Sequence, residues 1–415
     1  MADPAAEKAA LPGWQARFPA LQYPNYRLWF MGQMVATFGQ WMQGTAQGYL
    51  VYSLTGSPAY LGYVAFAGGI PTLLISPFAG VLADRVSRRK LLLVTQFCMM
   101  GLAFVLAALT FLNLVQPWHV LVLSFLLGIV GAIDMPARQS FTLELVERED
   151  LANAIALNAT MFNAAVAVGP AVAGFIYALF GPGWCFLING ISFSGQIAAL
   201  LLMKLQPFTK LPRRGSVLGE LRLGLGYVLD EPMVRAILLL VGSVSLFGMA
   251  FATIMPAWAV DILGGDAKTN GLMQSARGVG ALIGAVWLAA LGRFKYKGRV
   301  MTIGSFAMPV TLLVFSQVRS LPITLLVLAA SGLAFIPVVN LANALVQTRV
   351  PDALRGRVMG VYTMIMMGLW PLGGLWAGWV AQAFDEPLVP IIGAIAVLIT
   401  ATGLYWRVPQ LRRLE

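Results

Sequence analysis

Apolar stretches long enough to cross a bilayer recur along the whole chain, separated by shorter polar connections. A span needs about 20 predominantly apolar residues, and lipid cannot satisfy backbone amides, so each stretch is predicted to be a membrane helix. Internal glycines and prolines then mark kinks or close helix contacts. The pattern predicts twelve spans, at 26–52, 60–83, 91–113, 118–143, 151–179, 183–205, 234–262, 270–292, 300–317, 322–349, 355–383 and 388–407.

The composition agrees with a chain that has lipid as its main solvent. Of the 415 residues, 59% are hydrophobic and only 11% are charged, whereas roughly a quarter of the residues in soluble domains are charged. Too few polar groups remain to cover a water-facing surface of this size. These values argue against a soluble protein.

The basic residues are distributed unevenly between the two sets of connections. If the helices alternate in direction, all of the 28 Lys and Arg residues except Lys268, Arg277 and Arg319 fall on or beside one set. The positive-inside rule then places both termini in the cytoplasm, which requires an even number of spans. The net charge of +11 is therefore interpreted as a topology signal, and we expect no nucleic-acid partner.

The chain also divides into two similar halves. A polar interruption near its midpoint separates six spans from six, and the segment 143–153 is echoed by 346–357 in the second half. This pattern predicts an all-α membrane protein of twelve helices in two pseudo-symmetric six-helix bundles around a central site. The predicted divisions are a cytoplasmic tail at 1–25, an N-terminal bundle at 26–205, a cytoplasmic linker at 206–233, a C-terminal bundle at 234–408 and a second tail at 409–415.

The sharpest motif lies between the second and third spans and contains Gly80, Asp84, Arg85, Arg88 and Arg89. It resembles the signature loop of the major facilitator superfamily of transporters. The resemblance implies a latch that holds the two halves in an outward-open state, with Asp84 and Arg88 at the matching positions. Gly80 permits close helix approach, and the arginines can pair with acids on neighbouring helices. An ordinary positive-inside loop would explain the cations but not the glycine and the aspartate.

A second motif, with Gly169, Pro170 and Gly174, lies in the fifth span. It resembles the Gly-Pro motif of exporters in the superfamily, in which small residues allow tight packing and the proline bends the helix. The resemblance favours export over import. Glycine and proline are also common in membrane helices for packing reasons alone.

Further segments narrow the resemblance to one branch of the superfamily. The stretches at 25–29, 38–43, 54–58, 71–77 and 134–139 are similar to the branch that contains the enterobactin exporter, transmembrane secretion effectors and drug:proton antiporters. This similarity implies a siderophore-like or drug-like substrate. Members often carry an arginine shortly before the Gly-Pro motif, but here 164–168 is wholly apolar, which leaves the substrate open.

Ionisable groups at the centre of a span cost at least about 2.5 kcal/mol, so each is a functional candidate. Asp134 and Arg138 lie four residues apart on the fourth span, share a face and can pair. Two interpretations stay open. Asp134 is a proton-responsive acid, or the pair is a fixed brace at the cytoplasmic gate, near which Glu144 is expected as a paired or solvated residue.

Polar side chains also recur on one face of the first span, and a similar stripe lies on the tenth. Because a polar stripe is penalised in lipid, we expect it to line a central cavity with an aromatic surface at Trp41. Arg277 is expected to bind an anionic group or to snorkel to the interface. Interhelical hydrogen bonding is the alternative role for the amides. The predicted cavity residues are Gln33, Thr37, Gln40, Trp41, Gln43, Gln47, Asn158, Asn163, Gln274, Arg277, Asn340 and Asn343.

Together these features predict a monomeric secondary transporter in a bacterial inner membrane that exports a small organic compound by alternating access. Proton coupling is implied by the resemblance and by Asp134. The chain has no Walker motif for ATP, its two cysteines and single histidine form no metal-ligand cluster, and we expect neither cofactor nor enzymatic activity. An importer or lipid flippase of the same fold is the main alternative. A receptor or assembly factor without a transport cycle is a weaker one.

Overall fold

Twelve long helices follow the predicted stretches to within a few residues at each end. The computed structural model describes residues 18–205, 217–292 and 294–414, and these residues contain no β-strand. The helices are α1 (Pro24–Thr55), α2 (Pro58–Arg85), α3 (Arg88–Phe111), α4 (Pro117–Leu145), α5 (Leu151–Phe180), α6 (Pro182–Leu202), α7 (Pro232–Ile262), α8 (Ala267–Ala290), α9 (Lys297–Gln317), α10 (Leu321–Arg349), α11 (Asp352–Ala383) and α12 (Leu388–Arg407).

Proline and glycine define several of the helix boundaries. Pro24, Pro117 and Pro182 each occupy the first turn of a helix, where the missing backbone N–H has no intrahelical partner to lose. Gly56 ends α1 in the left-handed conformation, with φ of 56°, which a residue with a Cβ adopts at a cost. The turns between spans are therefore encoded locally.

Eleven of the twelve helices are long and apolar enough to cross a membrane by composition alone. The exception is α1, whose amides at Gln33, Gln40, Gln43 and Gln47 lower its hydropathy. Since α1 is 32 residues long and packs along α5 and α6, its polar groups are sheltered by neighbouring helices. Helix packing, rather than hydropathy, therefore accounts for the place of α1 among the membrane helices.

The helices form two bundles, α1–α6 and α7–α12, each with its own apolar core. In the first, α1 packs on α5 and α6, and α2 packs on α4; in the second, α10 packs on α8 and α9. Contacts between the bundles are made chiefly by two helix pairs, α5 with α8 and α2 with α11. We call the end near Phe18 and Leu414 the basic end, and the other the opposite end.

The seventh span is not the single regular helix that the pattern predicted. After Ser243 it continues as a π turn, a 3-10 turn, one short α turn and a second π turn. Pro256 cannot donate a helical hydrogen bond. In the first π turn, the Leu246 carbonyl accepts a hydrogen bond from Trp376 Nε1 of α11 at 2.8 Å. Irregular backbone is tolerated at membrane depth only where protein or a water-filled cavity surrounds it. The irregular part of α7 is therefore expected to face other helices or a cavity.

The linker between the bundles contains a helix that the pattern did not predict, Val217–Asp230. It packs against α11, where a Cβ added to Gly224 would lie 2.8 Å from the Arg357 carbonyl oxygen. The Glu220 carboxylate lies 3.8 Å from the Arg357 guanidinium. The linker segment 206–216 and the tail 1–17 lie outside the described residues.

Candidate functional site

The bundles approach each other most closely where α5 meets α8. A Cβ added to Gly174 would lie 2.7 Å from the Ala267 carbonyl oxygen, and one added to Gly271 would lie 2.4 Å from that of Pro170. The Ala171 amide donates across this contact to Ser275 Oγ at 2.8 Å. The Gly-Pro motif of α5 therefore lies at an interface between bundles, and its small residues permit backbone contact.

The same arrangement is repeated where α2 meets α11. A Cβ on Gly378 would lie 2.6 Å from the Pro58 carbonyl oxygen, and one on Gly69 would lie 1.9 Å from Pro371 Cγ. Nearby, Ser57 Oγ donates to Gln382 Oε1. Both interfaces are built from glycines facing backbone or proline, so neither tolerates a larger side chain without separating the helices.

These close approaches lie in the opposite-end halves of the four helices, at 166–174 and 267–278 and at 58–73 and 368–378. In the basic-end half of α11, by contrast, a Cβ added to Gly356 or to Gly360 would meet nothing within 4 Å. The bundles therefore touch at the opposite end and diverge toward the basic end.

A cavity of about 200 Å³ lies under the closed end. Helices from both bundles line it, so a movement of one bundle against the other changes its shape. Its lining residues are Trp41, Gly44, Thr45, Ala252, Thr253, Gln274, Arg277 and Trp370. Three of the predicted cavity residues are among them: Trp41, Gln274 and Arg277.

Local packing explains why Trp41 reaches this cavity. A Cβ added to Gly169 of α5 would lie 2.9 Å from Trp41 Cβ, so the glycine leaves room for α1 at this level. Thr45, one turn later, donates to the Trp41 carbonyl. The irregular part of α7 contributes Ala252 and Thr253 to the same cavity.

The glutamine stripe of α1 does not line this cavity, contrary to our expectation. Gln43 accepts a hydrogen bond from Asn189 of α6 at 2.6 Å, and Gln47 donates to Ser124 of α4 at 2.7 Å. Gln33 donates to Thr37 within α1, and all four side chains are buried. The stripe joins helices inside the first bundle because lipid offers no other partners. Gln40, half-buried, is also absent from the cavity lining.

The predicted asparagines also lie away from the cavity. Asn158 accepts from the Tyr26 hydroxyl at 3.2 Å and joins α5 to α1, while Asn163 donates to the Ala159 carbonyl of its own helix. On α10, Asn343 accepts from Gln347, and Asn340 is exposed. These residues belong to the basic-end halves of their helices, where the bundles diverge.

Asp134 lies in a saturated network inside the first bundle and is 1% exposed. Its carboxylate accepts from Thr95 Oγ1 at 2.6 Å and from Gln96 Nε2 at 2.9 Å, both on α3. Arg138 donates to the other carboxylate oxygen from Nε at 3.0 Å and also from Nη2. The predicted pair therefore forms within α4, and the bonds from Thr95 and Gln96 to its carboxylate tie α4 to α3.

An Asp134→Asn variant is expected to lose about 3–5 kcal/mol of folding free energy, because it leaves the guanidinium of Arg138 without its buried partner. The unfolding midpoint in detergent micelles measures this loss. Thr95→Val is the matched control, since it removes one donor to the carboxylate but keeps the ion pair, and it should cost a smaller amount, about 1.5–3 kcal/mol. Equal midpoints for the two variants would contradict a buried structural pair.

The signature-loop arginines hold the basic end of the first bundle together. Arg88 forms an ion pair with Glu144 of α4, and Arg89 donates to the Leu201 carbonyl of α6 at 2.9 Å. The Arg88 pair is the kind of contact with a neighbouring helix that the motif predicts. The side chains of Asp84 and Arg85, and the surroundings of Gly80, lie outside the described part of the chain.

An acidic cluster at the opposite end escaped the sequence analysis. The Tyr52 hydroxyl of α1 donates to Asp261 of α7, and the carboxyl of Glu386, between α11 and α12, lies beside that of Asp261. Burial, together with the charges of Asp261 and Asp385, raises the pKa of Glu386. This cluster joins the two bundles where they close, although no local pattern links its three segments.

Comparison with known proteins agrees with this architecture. A family model described as transmembrane secretion effector matches residues 16–415. The staphyloferrin A transporter of Staphylococcus aureus is 26% identical over 381 residues, covering 90% of this chain and 94% of that protein. The multidrug efflux pump Tap of Mycolicibacterium fortuitum is 25% identical over 386 residues, covering 88% and 91%.

A solved structure shares the fold. A bacterial homolog of the human lysosomal transporter Spinster, in an inward-facing and occupied conformation, superposes with a TM-score of 0.73 at 13% identity, covering 94% of this chain and 97% of that one. The family match extends over all twelve helices, and those helices enclose a cavity between two bundles. The chain therefore belongs to the transmembrane secretion effector family of the major facilitator superfamily, and it is a multi-pass membrane transporter of small molecules rather than an enzyme.

Proposed function

We propose that this transporter exports a small organic compound across a bacterial inner membrane, by alternating access and driven by proton entry. The observation that carries the proposal is a cavity shared by both bundles beneath an end closed by close helix contacts. Such a cavity is accessible from one side of the membrane only, and it becomes accessible from the other side when the bundles rock. A monomer contains all of these parts.

The direction rests on charge and on similarity. The basic end carries nearly all of the Lys and Arg residues, so the positive-inside rule places it in the cytoplasm. The described state is then open to the cytoplasm and ready to load substrate from within. The Gly-Pro motif at the α5–α8 interface and the similarity to a multidrug efflux pump support export.

Proton coupling is supported by carboxyl groups at two levels of the molecule. Asp134 is buried inside the first bundle, and at the proposed periplasmic end Asp261, with Glu386 beside it, accepts a hydrogen bond from Tyr52 of the other bundle. An acid whose environment changes between two states binds its proton more tightly in one of them, and that difference couples a proton gradient to the movement.

Everted inner-membrane vesicles test the proposal directly. An acid interior, imposed by respiration, should drive accumulation of a compound to which an overexpressing strain is resistant and a deletion strain is sensitive. An ionophore that collapses the proton gradient should abolish the accumulation. Accumulation that persists after collapse would contradict proton coupling.

The same assay separates export from its alternatives. Outward movement of the compound from vesicles under the same gradient would indicate import, and a requirement for a specific lipid headgroup as the transported species would indicate a flippase. Asp134→Asn protein that is folded and inserted, yet transports independently of the gradient, would assign the coupling to Asp134. Unchanged coupling in that protein would remove the residue from the role.

A further inference from the structure

Arg277 is a cation deep in the transporter, and no carboxylate in the described part of the chain pairs with it. It lies in the middle part of α8, and the described residues offer its guanidinium only the Met249 thioether, 3.9 Å from Nη1. Its Nε is buried without a hydrogen-bond partner, and none of the described carboxylates forms an ion pair with it. A guanidinium that is retained under these conditions requires a partner, and the described residues do not supply one.

The guanidinium faces the cavity instead of the membrane interface. Arg277 and Gln274 are both cavity-lining residues, one turn apart on α8. Gln274 Nε2 is held by Asn270 Oδ1 at 3.3 Å, and Asn270 is fully buried with an unpartnered amide nitrogen. Snorkelling to the opposite end, one of the two expected roles, is thus not what the structure shows.

The rest of the lining defines what kind of anion fits. Trp41 from the first bundle and Trp370 from the second both reach the cavity, and indole rings bind flat apolar groups by stacking. A guanidinium presents parallel N–H donors that match the two oxygens of a carboxylate. The volume of about 200 Å³ leaves room for an aromatic ring and its acid group, since a cavity of about 150 Å³ already holds benzene.

We propose that Arg277 is the specificity-determining residue for substrates that carry a carboxylate on a planar aromatic group, with the ring against Trp41 and Trp370. The inference rests on the proposed transport function and adds the substrate class. Because the two tryptophans belong to different bundles, such a ligand also touches both halves that must move.

Binding to the purified, full-length protein in lipid nanodiscs tests the assignment. The probes are benzoate, 2-naphthoate and indole-3-acetate, each paired with its neutral amide, and tryptophan fluorescence or calorimetry gives the affinity. At least one acid should bind more tightly than its amide by about 10- to 100-fold, the contribution of a charged hydrogen bond. Arg277→Gln should remove that preference, and Arg277→Lys should retain part of it.

Arg319→Gln is the matched control, because Arg319 lies outside the cavity, over the Trp258 ring at 5.6 Å. It should leave the preference for acids intact. Unfolding midpoints exclude a folding defect, since Arg277→Gln removes an unpaired buried charge and should not lower the midpoint. The proposal is overturned if no acid binds more tightly than its amide, or if Arg277→Gln keeps the preference. If either outcome is found but gradient-driven transport in vesicles is still observed, the proposed export function stands and only the substrate class is overturned. If acids bind as expected but no gradient-driven transport is observed, only the export function is overturned.

Discussion

A leucine at Gly174 or at Gly378 is expected to slow transport by roughly 5- to 150-fold while the protein still folds and inserts. At each position the added Cβ would meet backbone of the other bundle, 2.7 Å from the Ala267 carbonyl oxygen and 2.6 Å from that of Pro58. Overpacking costs about 1–3 kcal/mol, which disfavours the state closed at the opposite end by roughly 5- to 150-fold. The closed state, one of the two that the cycle requires, is then populated correspondingly less.

Spin labels across the opposite end measure this shift. The labels are attached at Leu114→Cys and Ser320→Cys, both in exposed loops of that end, after Cys98 and Cys185 have been replaced by alanine. The leucine variants should lengthen the distance between the labels. Gly195→Leu is the matched control, because a Cβ there meets nothing within 4 Å. An unchanged distance in the Gly174 and Gly378 variants would show that these glycines do not set the closure.

The opposite end is expected to close more firmly as its solution becomes more acidic. Burial, with the negative charges of Asp261 and Asp385, raises the pKa of Glu386 above its ordinary value of 4.5 when the bundles are closed. On opening, Tyr52 and the first bundle move away and the carboxyl returns toward water, so its pKa falls, while Asp261 and Asp385 stay beside Glu386 in the second bundle. The protonated form therefore favours the closed state. This stabilisation is complete below the ordinary value and is lost as the pH rises through the raised value.

The same spin-labelled pair reports the effect, with each pKa unit of difference corresponding to a tenfold change in the ratio of closed to open molecules. As the pH rises from the ordinary value of 4.5 through the raised value, the closed population should fall, and Glu386→Gln should keep it nearly constant because an amide does not titrate. Asp352→Asn removes a carboxylate at the basic end, where that side chain is 87% exposed, and should leave the pH response intact. A Glu386→Gln protein with the wild-type response would assign it to another group.

An acid-stabilised closure at this end fits the proposed direction of transport. Protons are abundant on the periplasmic side when the membrane is energised. Protonation of Glu386 beside Asp261 and Tyr52 would then return the empty transporter to the state open toward the cytoplasm. The cluster joins α1, α7 and the connection before α12, so it couples the two bundles directly.

The linear sequence determined the helices, their approximate limits and the asymmetry of charge. These properties are local: about 20 apolar residues must span the bilayer as a helix, and basic residues remain on the cytoplasmic side. The pairing of Asp134 with Arg138 was equally predictable, because residues four apart share one face of a helix. The breaks in α7 and the linker helix Val217–Asp230 were not predicted, because each depends on packing against α11.

Only the tertiary structure decided which polar groups face the cavity. A stripe such as Gln43 and Gln47 requires shelter from lipid, but its periodicity does not say whether a cavity or another helix provides it; Asn189 and Ser124 provide it here. Arg277 and Trp370, from two helices of the second bundle, meet Trp41 of the first only because the bundles assemble around one space. Glu386 and Asp261 lie more than a hundred residues apart, and their proximity follows from the docking of helices, a non-local interaction that no periodicity records.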